Sequence, residues 1–456
     1  MKITPPIPEI PDDNPYCNDL FNRREFGNSL KSLFCNVSEN VVLCVDAPWG
    51  DGKTTFAKMW IADLLKDDKQ CIYFDAFQHD YSADPLVAFS AEIIRLVEEQ
   101  FEDSNTIQVL KEDFKKKAKR IAANLITAGA RFGIKALTLG IIKDTDIEAF
   151  ESIKEDIAED SSNAISSMIG AAFDEYVASK ELVAEFHEKL SALGNALKEE
   201  QSFPLLIVVD ELDRCRPDFA LSLIERTKHL FATENVSFLL MANIKQLESS
   251  VKYVYGNDVD ATNYLQKFFS LVTILPKDSR SQDGNDFSRY CEHLIRHYFS
   301  EDIEGLHSRL STLFLHFQFS FREMERCVAL LSIYYAQLPQ GRLTSIDVIS
   351  FLGVAQIKCP EVVDALMIER LSYSELLSKT RLTESTPEKN RWEPKPEILS
   401  RLKYLLMTDA EFAAVDEGDR LLEYGRWLTQ FGMARHKVIP FLCSEVRQFR
   451  TSLHSS

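Results

Sequence analysis

Asp46–Thr55, DAPWGDGKTT, is the stretch that decides the fold. It follows the apolar run Val41–Val45 and leads into the amphipathic segment FAKMWIADLL. Strand, glycine-bearing loop, Gly-Lys-Thr and helix is the layout of a phosphate-binding loop. Such a loop needs donors aimed inward without side chains in the way. Gly50 and Gly52 let several backbone N–H groups face a phosphate chain, and the helix behind presents its positive end. Lys53 is placed to reach the β- and γ-phosphates, and Thr54 to offer its hydroxyl oxygen to magnesium. Pro48, Trp49, Asp51 and Thr55 complete the loop. The first glycine of the usual G-x-x-x-x-G-K-[ST] pattern is replaced by Ala47. Asp51 puts a carboxylate inside an anion site, so its side chain is expected to point to solvent.

Downstream, Leu205–Asp213 reads LLIVVDELD. Its apolar, β-branched run predicts a buried parallel strand ending in two adjacent carboxylates. Asp210 fits the acid that orders magnesium, and Glu211 the base that polarises an attacking water. Side chains alternate along a strand, so both acids reach one site only where the strand ends and the chain bends. A third strand, VSFLLMA (Val236–Ala242), ends at Asn243. The Asn243 amide could bond the attacking water or the γ-phosphate, or simply cap the next helix.

These residues together resemble the KAP family of P-loop NTPases. The resemblance rests on APWGDGKT with Trp49 and Gly50, on YFDAFQHD after the second strand, and on DELDRCRP at the acidic strand tip. DLFNRREFGNSLKSLF and YLQKFFSLVTILP also carry it, over roughly Asp19 to Arg326. It implies a core in which a catalytic Glu follows the magnesium Asp, ATP and Mg2+ as ligands, and a helical insertion between the second and third strands. It also implies a bacterial setting linked to exclusion of bacteriophage, in many members with membrane attachment. Phe77 stands where many members carry Trp, and their membrane hairpins are not evident here. Arg214 in DELDR could act as an arginine finger, in its own subunit or across an interface; the alternative is a salt bridge to Asp213 or Asp210. Arg322 in SFREMER is implied to be a lid arginine that reports nucleotide state, since a cation at a helix start is otherwise unfavourable.

The expected architecture is α/β: a P-loop NTPase core with a parallel five-stranded sheet, a large helical insertion and a C-terminal all-helical region. The strands are expected at Val41–Asp46, Cys71–Asp75, Leu205–Asp210, Val236–Ala242 and Leu271–Leu275, with the ligand at their carboxyl edges. The chain divides into an extended N-terminal arm (1–18), the core (19–83 and 204–285), the insertion (84–203), a helical lid (286–340) and a C-terminal helical region (341–456). Residues 121–142 form the one stretch long enough to test as a membrane span, but Arg131 and Lys135 sit in its middle at a cost of a few kcal/mol each. A buried or partner-facing helix is favoured over membrane contact.

A formal net charge of −18 over 456 residues argues against nucleic acid as a partner, because phosphate backbones need a basic footprint. The basic run KEDFKKKAKR (111–120) reads as a solvated helix face. Nine cysteines without a Cys-x-x-Cys suggest reduced, cytoplasmic usage. The His293/His297 pair lacks a third metal ligand. The expected function is ATP hydrolysis with Mg2+ that drives or switches a protein assembly, the partners being ATP and another protein or an oligomer. The rivals are a nucleotide-binding scaffold with little hydrolysis, a small-molecule kinase, and a membrane-attached scaffold. Asp210-Glu211 with Asn243 argues against the kinase.

Overall fold

A computed structural model describes residues 4–37, 39–81, 85, 89, 187–188, 190–199, 202–231, 233–278, 286–301, 303–337, 345–384, 393–415, 420–429 and 432–448. Most of the expected insertion, with the basic run 111–120 and the 121–142 stretch, lies outside them.

The strands are β1 (Val42–Asp46), β2 (Cys71–Asp75), β3 (Leu205–Asp210), β4 (Val236–Ala242) and β5 (Leu271–Ile274). They form one parallel sheet in the order β2-β3-β4-β1-β5. Every strand boundary lies within one residue of its expected place. The apolar runs explain why the central strands are buried on both faces. Along β1, Val42 and Cys44 feed one apolar cluster while Leu43 and Val45 feed the other. In β3, Ile207 and Val209 alternate in the same way with Leu206 and Val208.

On one face, α3 (Pro217–Phe231) and α4 (Ile244–Tyr255) contribute Phe219, Leu223, Leu247 and Val251. The other face is covered by α1 (Arg24–Asn36) and α2 (Lys53–Lys66), with Leu30, Phe34, Phe56 and Trp60. Phe56 and Trp60, one helical turn apart on α2, are each about 1% exposed. Burying a side chain of that size contributes roughly 1.5–3 kcal/mol, which fixes the helix that carries Lys53 and Thr54 against the sheet. The short helix α5 (Ala261–Gln266) leads into β5, an edge strand, where Leu271, Val272 and Ile274 remain exposed.

Beyond β5 the described chain is helical. α6 (Asp286–Tyr298), α7 (Leu306–His316) and α8 (Phe321–Ala336) are followed by α9 (Ile346–Lys358) and shorter helices as far as Val446. A single buried apolar cluster runs from Phe287 through Leu331, Phe351 and Leu402 to Val446, so residues 286–337 and 345–448 share one core. Asp347 strengthens that union, holding Arg309 Nε of α7 at 2.6 Å and Arg401 Nε at 3.4 Å. Among the described residues no helix is long and apolar enough to cross a membrane.

Candidate functional site

The loop between β1 and α2 owes its shape to two glycines. Gly50 has φ +88° and Gly52 φ +80°, a region that residues with a Cβ rarely enter. Gly50 has a second reason to lack a side chain: a Cβ there would stand 2.6 Å from Arg322 Cβ. Helix α8 starts against this glycine, and the Arg322 backbone N–H donates to Gly50 O at 3.3 Å. Its first turn is set by a capping box in which Ser320 Oγ accepts from Glu323 N and the Glu323 carboxylate accepts from Ser320 N.

Two cations, one buried and one half-buried, hold the loop. Arg23 is 3% exposed and donates from Nη2 to Asp51 O at 2.8 Å and from Nη1 to Gly52 O at 3.3 Å. Burial lowers its pKa to about 10 against the raising influence of Asp286, Asp19 and Asp51. The second cation corrects the expectation for Asp51. Its side chain does not point to solvent; the residue is buried, and Lys277 Nζ lies 3.1 Å from its Oδ1. The carboxylate is tolerated because Lys277 neutralises it locally.

Lys53 folds over its own loop. Its Nζ donates to Ala47 O at 2.7 Å and Pro48 O at 3.3 Å, and lies 3.6 Å from Asp213 Oδ2. The same Asp213 oxygen accepts from Trp49 Nε1 at 2.6 Å. The loop tryptophan and the DELDR turn are thereby joined. Asp213 Oδ1 is buried without a hydrogen-bond partner.

Opposite the loop, Asp210 is fully buried at the tip of β3. Its Oδ2 accepts from Tyr73 OH at 3.0 Å, and its Oδ1 from Glu211 N at 2.8 Å. Glu211 has φ +58°, which is the bend that swings the second acid to the same side as the first. Its Oε1 faces Thr54 Oγ1 at 3.4 Å. Burial pushes both carboxyls above their ordinary pKa, only partly offset for Asp210 by its bonds from Thr54, Glu211 N and Tyr73, and for Glu211 by the Arg214 charge. Two adjacent acids, of which Asp210 has no cation bonded to it among the described residues, beside a threonine hydroxyl make a hard oxygen donor set that fits Mg2+.

Arg214 is also placed differently from either salt bridge expected for it. Its Nη1 pairs with Glu211 Oε1 at 2.9 Å, not with Asp213 or Asp210. The 3-10 turn Leu212–Arg214 explains the choice, because three residues per turn eclipse the side chains at i and i+3. Asn243 follows β4, which lies between β3 and β1, and precedes α4 without a side-chain capping bond. Asp46 Oδ1 caps that helix instead, accepting from Ile244 N at 2.9 Å. The Asn243 amide is therefore not spent on the helix it precedes.

Two hollows flank the loop. One, of about 660 Å³, is lined by Trp49, Phe77, Asp213, Arg214, Tyr253 and Arg322. The other, of about 450 Å³, lies between Gly50, Gly52 and Thr55 on one side and the N-terminal arm and helices α6 and α8 on the other. The His293 ring, in the lining of the smaller hollow, stacks on Tyr290, and His297 Nε2 meets Thr4 O at 3.0 Å. Among the described residues no group of three or more His, Cys, Asp or Glu could hold a metal; a site made with Thr54 falls outside that kind of cluster. Sequence reasoning missed Tyr73, Lys277 and the loop-holding role of Arg23, which reach Asp210 or the loop only through long-range packing.

A parallel sheet whose phosphate-binding loop and acidic strand tip meet at one edge defines a P-loop NTPase. The chain belongs to the KAP family of these proteins, the KAP family P-loop domain matching residues 23–338. An uncharacterised protein of Methanocaldococcus jannaschii is 28% identical over 184 residues, which is 38% of this chain and 89% of that protein. Among solved structures, the ORC2 protein of Aeropyrum pernix in its ADPNP–ADP complexes is 13% identical, with 93% of this chain and 94% of that chain covered. Its TM-score is 0.33, a likeness too distant to argue from.

Proposed function

We propose that this chain binds ATP with Mg2+ and hydrolyses it, and that nucleotide state is passed to the helical body. The observation that carries the reading is the approach of Thr54 Oγ1 to Glu211 Oε1 at 3.4 Å, with Asp210 at the adjoining strand tip. It sets a phosphate-binding helix start against a water-activating acid. On this reading the loop amides and Lys53 grip the β- and γ-phosphates, the Lys53 ammonium exchanging the carbonyls of Ala47 and Pro48 for phosphate oxygens. Pro48, Trp49, Gly50, Asp51, Gly52 and Thr55 shape that cradle. Thr54 and Asp210 hold magnesium, which would neutralise charge on the phosphates. Glu211 takes a proton from water once Arg214 releases it, Asn243 orients that water, and Arg214 and Arg322 stabilise charge on the γ-phosphate.

The shared core beyond residue 286 supports a helical body that moves as one against the sheet, with the Arg322–Gly50 contact as its hinge to the loop. We propose a protein partner or an oligomer as the recipient of that motion, a cytoplasmic location, and bacteriophage exclusion as the biological setting. Nucleic acid and membrane are not the partners we favour. A second reading, a nucleotide-binding switch with little hydrolysis, is favoured by one observation: Arg214 occupies Glu211 at 2.9 Å. Phosphate release by the native chain and by Glu211→Gln separates the two. General-base catalysis predicts a loss of about 10²–10⁴-fold in the variant with ATP binding retained; equal rates remove Glu211 from the chemistry.

A further inference from the structure

We infer that Lys358 is a positioning residue for the phosphate-binding loop: by gripping Glu323 it sets the start of α8 against Gly50, so that residues 345–448 act on the nucleotide site. This rests on the nucleotide reading above and deepens it by naming the link between the helical body and the loop.

Among the described residues three helices begin with a capping box: Ser320 with Glu323, Ser372 with Glu375, and Thr408 with Glu411. In each the glutamate reaches back to the backbone N–H of the cap, which completes its local task. Glu375 and Glu411 are exposed, and among the described residues no salt bridge reaches either. Glu323 differs. It is half-buried, and Lys358, from 35 positions along the chain, donates to its Oε1 at 2.8 Å and its Oε2 at 2.7 Å. The box that takes a cation from a distant helix is the one whose helix starts on the loop.

Lys358 closes α9, where a cation suits the negative end of the helix. Val348, Phe351 and Leu352 of α9 lie in the core shared with the helices that follow, so the ammonium moves with them. Glu323 Oε2 also accepts from Ser320 N at 2.7 Å, and one oxygen thus joins the lysine to the cap. Burial alone would raise the Glu323 pKa, but the bonds from Lys358 and Ser320 outweigh it and hold the carboxyl below its ordinary value. Bonds with a charged partner are roughly twice as strong as neutral ones. From Ser320 the path to the loop is short, since Arg322 N–H donates to Gly50 O at 3.3 Å. On the other side Lys277 donates to Phe319 O at 2.9 Å. The turn from Phe319 to Glu323 is therefore pinned between a lysine that follows β5 and a lysine that ends α9. Removing Lys358 releases the second pin alone.

The test uses the full chain, with ATP titrated calorimetrically into the native protein and its variants, each melted in parallel. Lys358→Met keeps the apolar stem and loses the charge. Glu323→Gln keeps an acceptor for Ser320 N and loses the ion pair. The expected result is a loss of about five- to tenfold in ATP affinity for either variant, the low end of ordinary coupling between sites. The double variant should lose no more than the single ones, and Lys358→Arg should recover most of the affinity. Glu375→Gln, the matching change in a box away from the loop, should leave affinity unchanged. A pair that serves folding alone lowers Tm and leaves the affinity of the folded chain at its native value. That result, additive losses in the double variant, or an equal loss in Glu375→Gln overturns the inference while leaving nucleotide binding intact. If the native chain binds no ATP, the nucleotide reading fails and takes this inference with it.

Discussion

The Lys277 ammonium stands 3.1 Å from Asp51 Oδ1 and donates at 2.9 Å to Phe319 O, just ahead of α8. One cation ties the phosphate-binding loop, the chain leaving β5 and the approach to α8. It lies over the rings of Phe321 and Phe287, at 4.6 and 4.8 Å from their centres. Burial lowers its pKa, and the Asp51 charge opposes that effect. Loop electrostatics and the position of α8 therefore share a single residue.

Removing that residue should expose the dependence. Lys277→Met leaves a carboxylate unpaired inside an anion site, at a cost of about 1–3 kcal/mol in stability, and should weaken ATP binding by repulsion. Asp51→Asn introduced alongside should restore most of both. Chemical denaturation and ATP titration of the single and double variants read this out; a double variant no better than the single one counts against the pairing.

The two loop glycines should differ when replaced. Both have positive φ, so alanine at either is strained by about 1–2 kcal/mol. A Cβ at Gly50 meets Arg322 Cβ at 2.6 Å and Arg322 N at 3.3 Å, whereas at Gly52 it meets only Arg23 Nη1 at 3.0 Å, the end of a long side chain. Gly50→Ala should therefore lower Tm more than Gly52→Ala, by several degrees. The reverse order, measured by scanning calorimetry, would refute the contact between α8 and the loop.

Lys53→Ala should weaken ATP binding by about 10–100-fold, the worth of a charge-assisted hydrogen bond to phosphate. Native-like melting of the empty variant would attribute the loss to the ligand contact. Affinity within twofold of native would show that the ammonium stays on Ala47 O and Pro48 O.

Asp210→Asn carries a pH signature. Burial raises the Asp210 carboxyl above its ordinary 3.8, and Glu211 shifts in the same direction. The fold thus favours the protonated acid. Its contribution to stability is complete below the unfolded pKa and is lost as pH rises through the folded one. The gap in Tm between Asp210→Asn and the native chain should widen in the variant's favour as pH rises from about 4 toward neutrality. The variant should lose any thermal shift that requires Mg2+ with ATP. A gap that narrows with pH contradicts the assignment of a buried, charge-starved acid.

Much of the core was legible because its signals are local. The run Leu205–Asp210 carries its burial in its own composition, and Gly50 and Gly52 carry their backbone geometry in their lack of Cβ. Arg214 was less legible: its distance from the acids was readable, but which acid it takes depends on a 3-10 turn. Asp51 was misread because its counter-ion comes from a residue 226 positions away. Arg23 stood in a segment quoted only for its family likeness, and nothing local says that its guanidinium ends on Asp51 O and Gly52 O.

By itself, then, the order of residues determined the strand positions, the phosphate cradle and the acids at the strand tip, because backbone preference and side-chain alternation act over a few neighbours. Tertiary structure alone decided how the loop's charge is balanced, that the helices from Phe287 to Val446 share one core, and that the N-terminal arm borders a hollow beside the loop. Those are matters of which distant surfaces come together to exclude water, and no short stretch of chain encodes its partner.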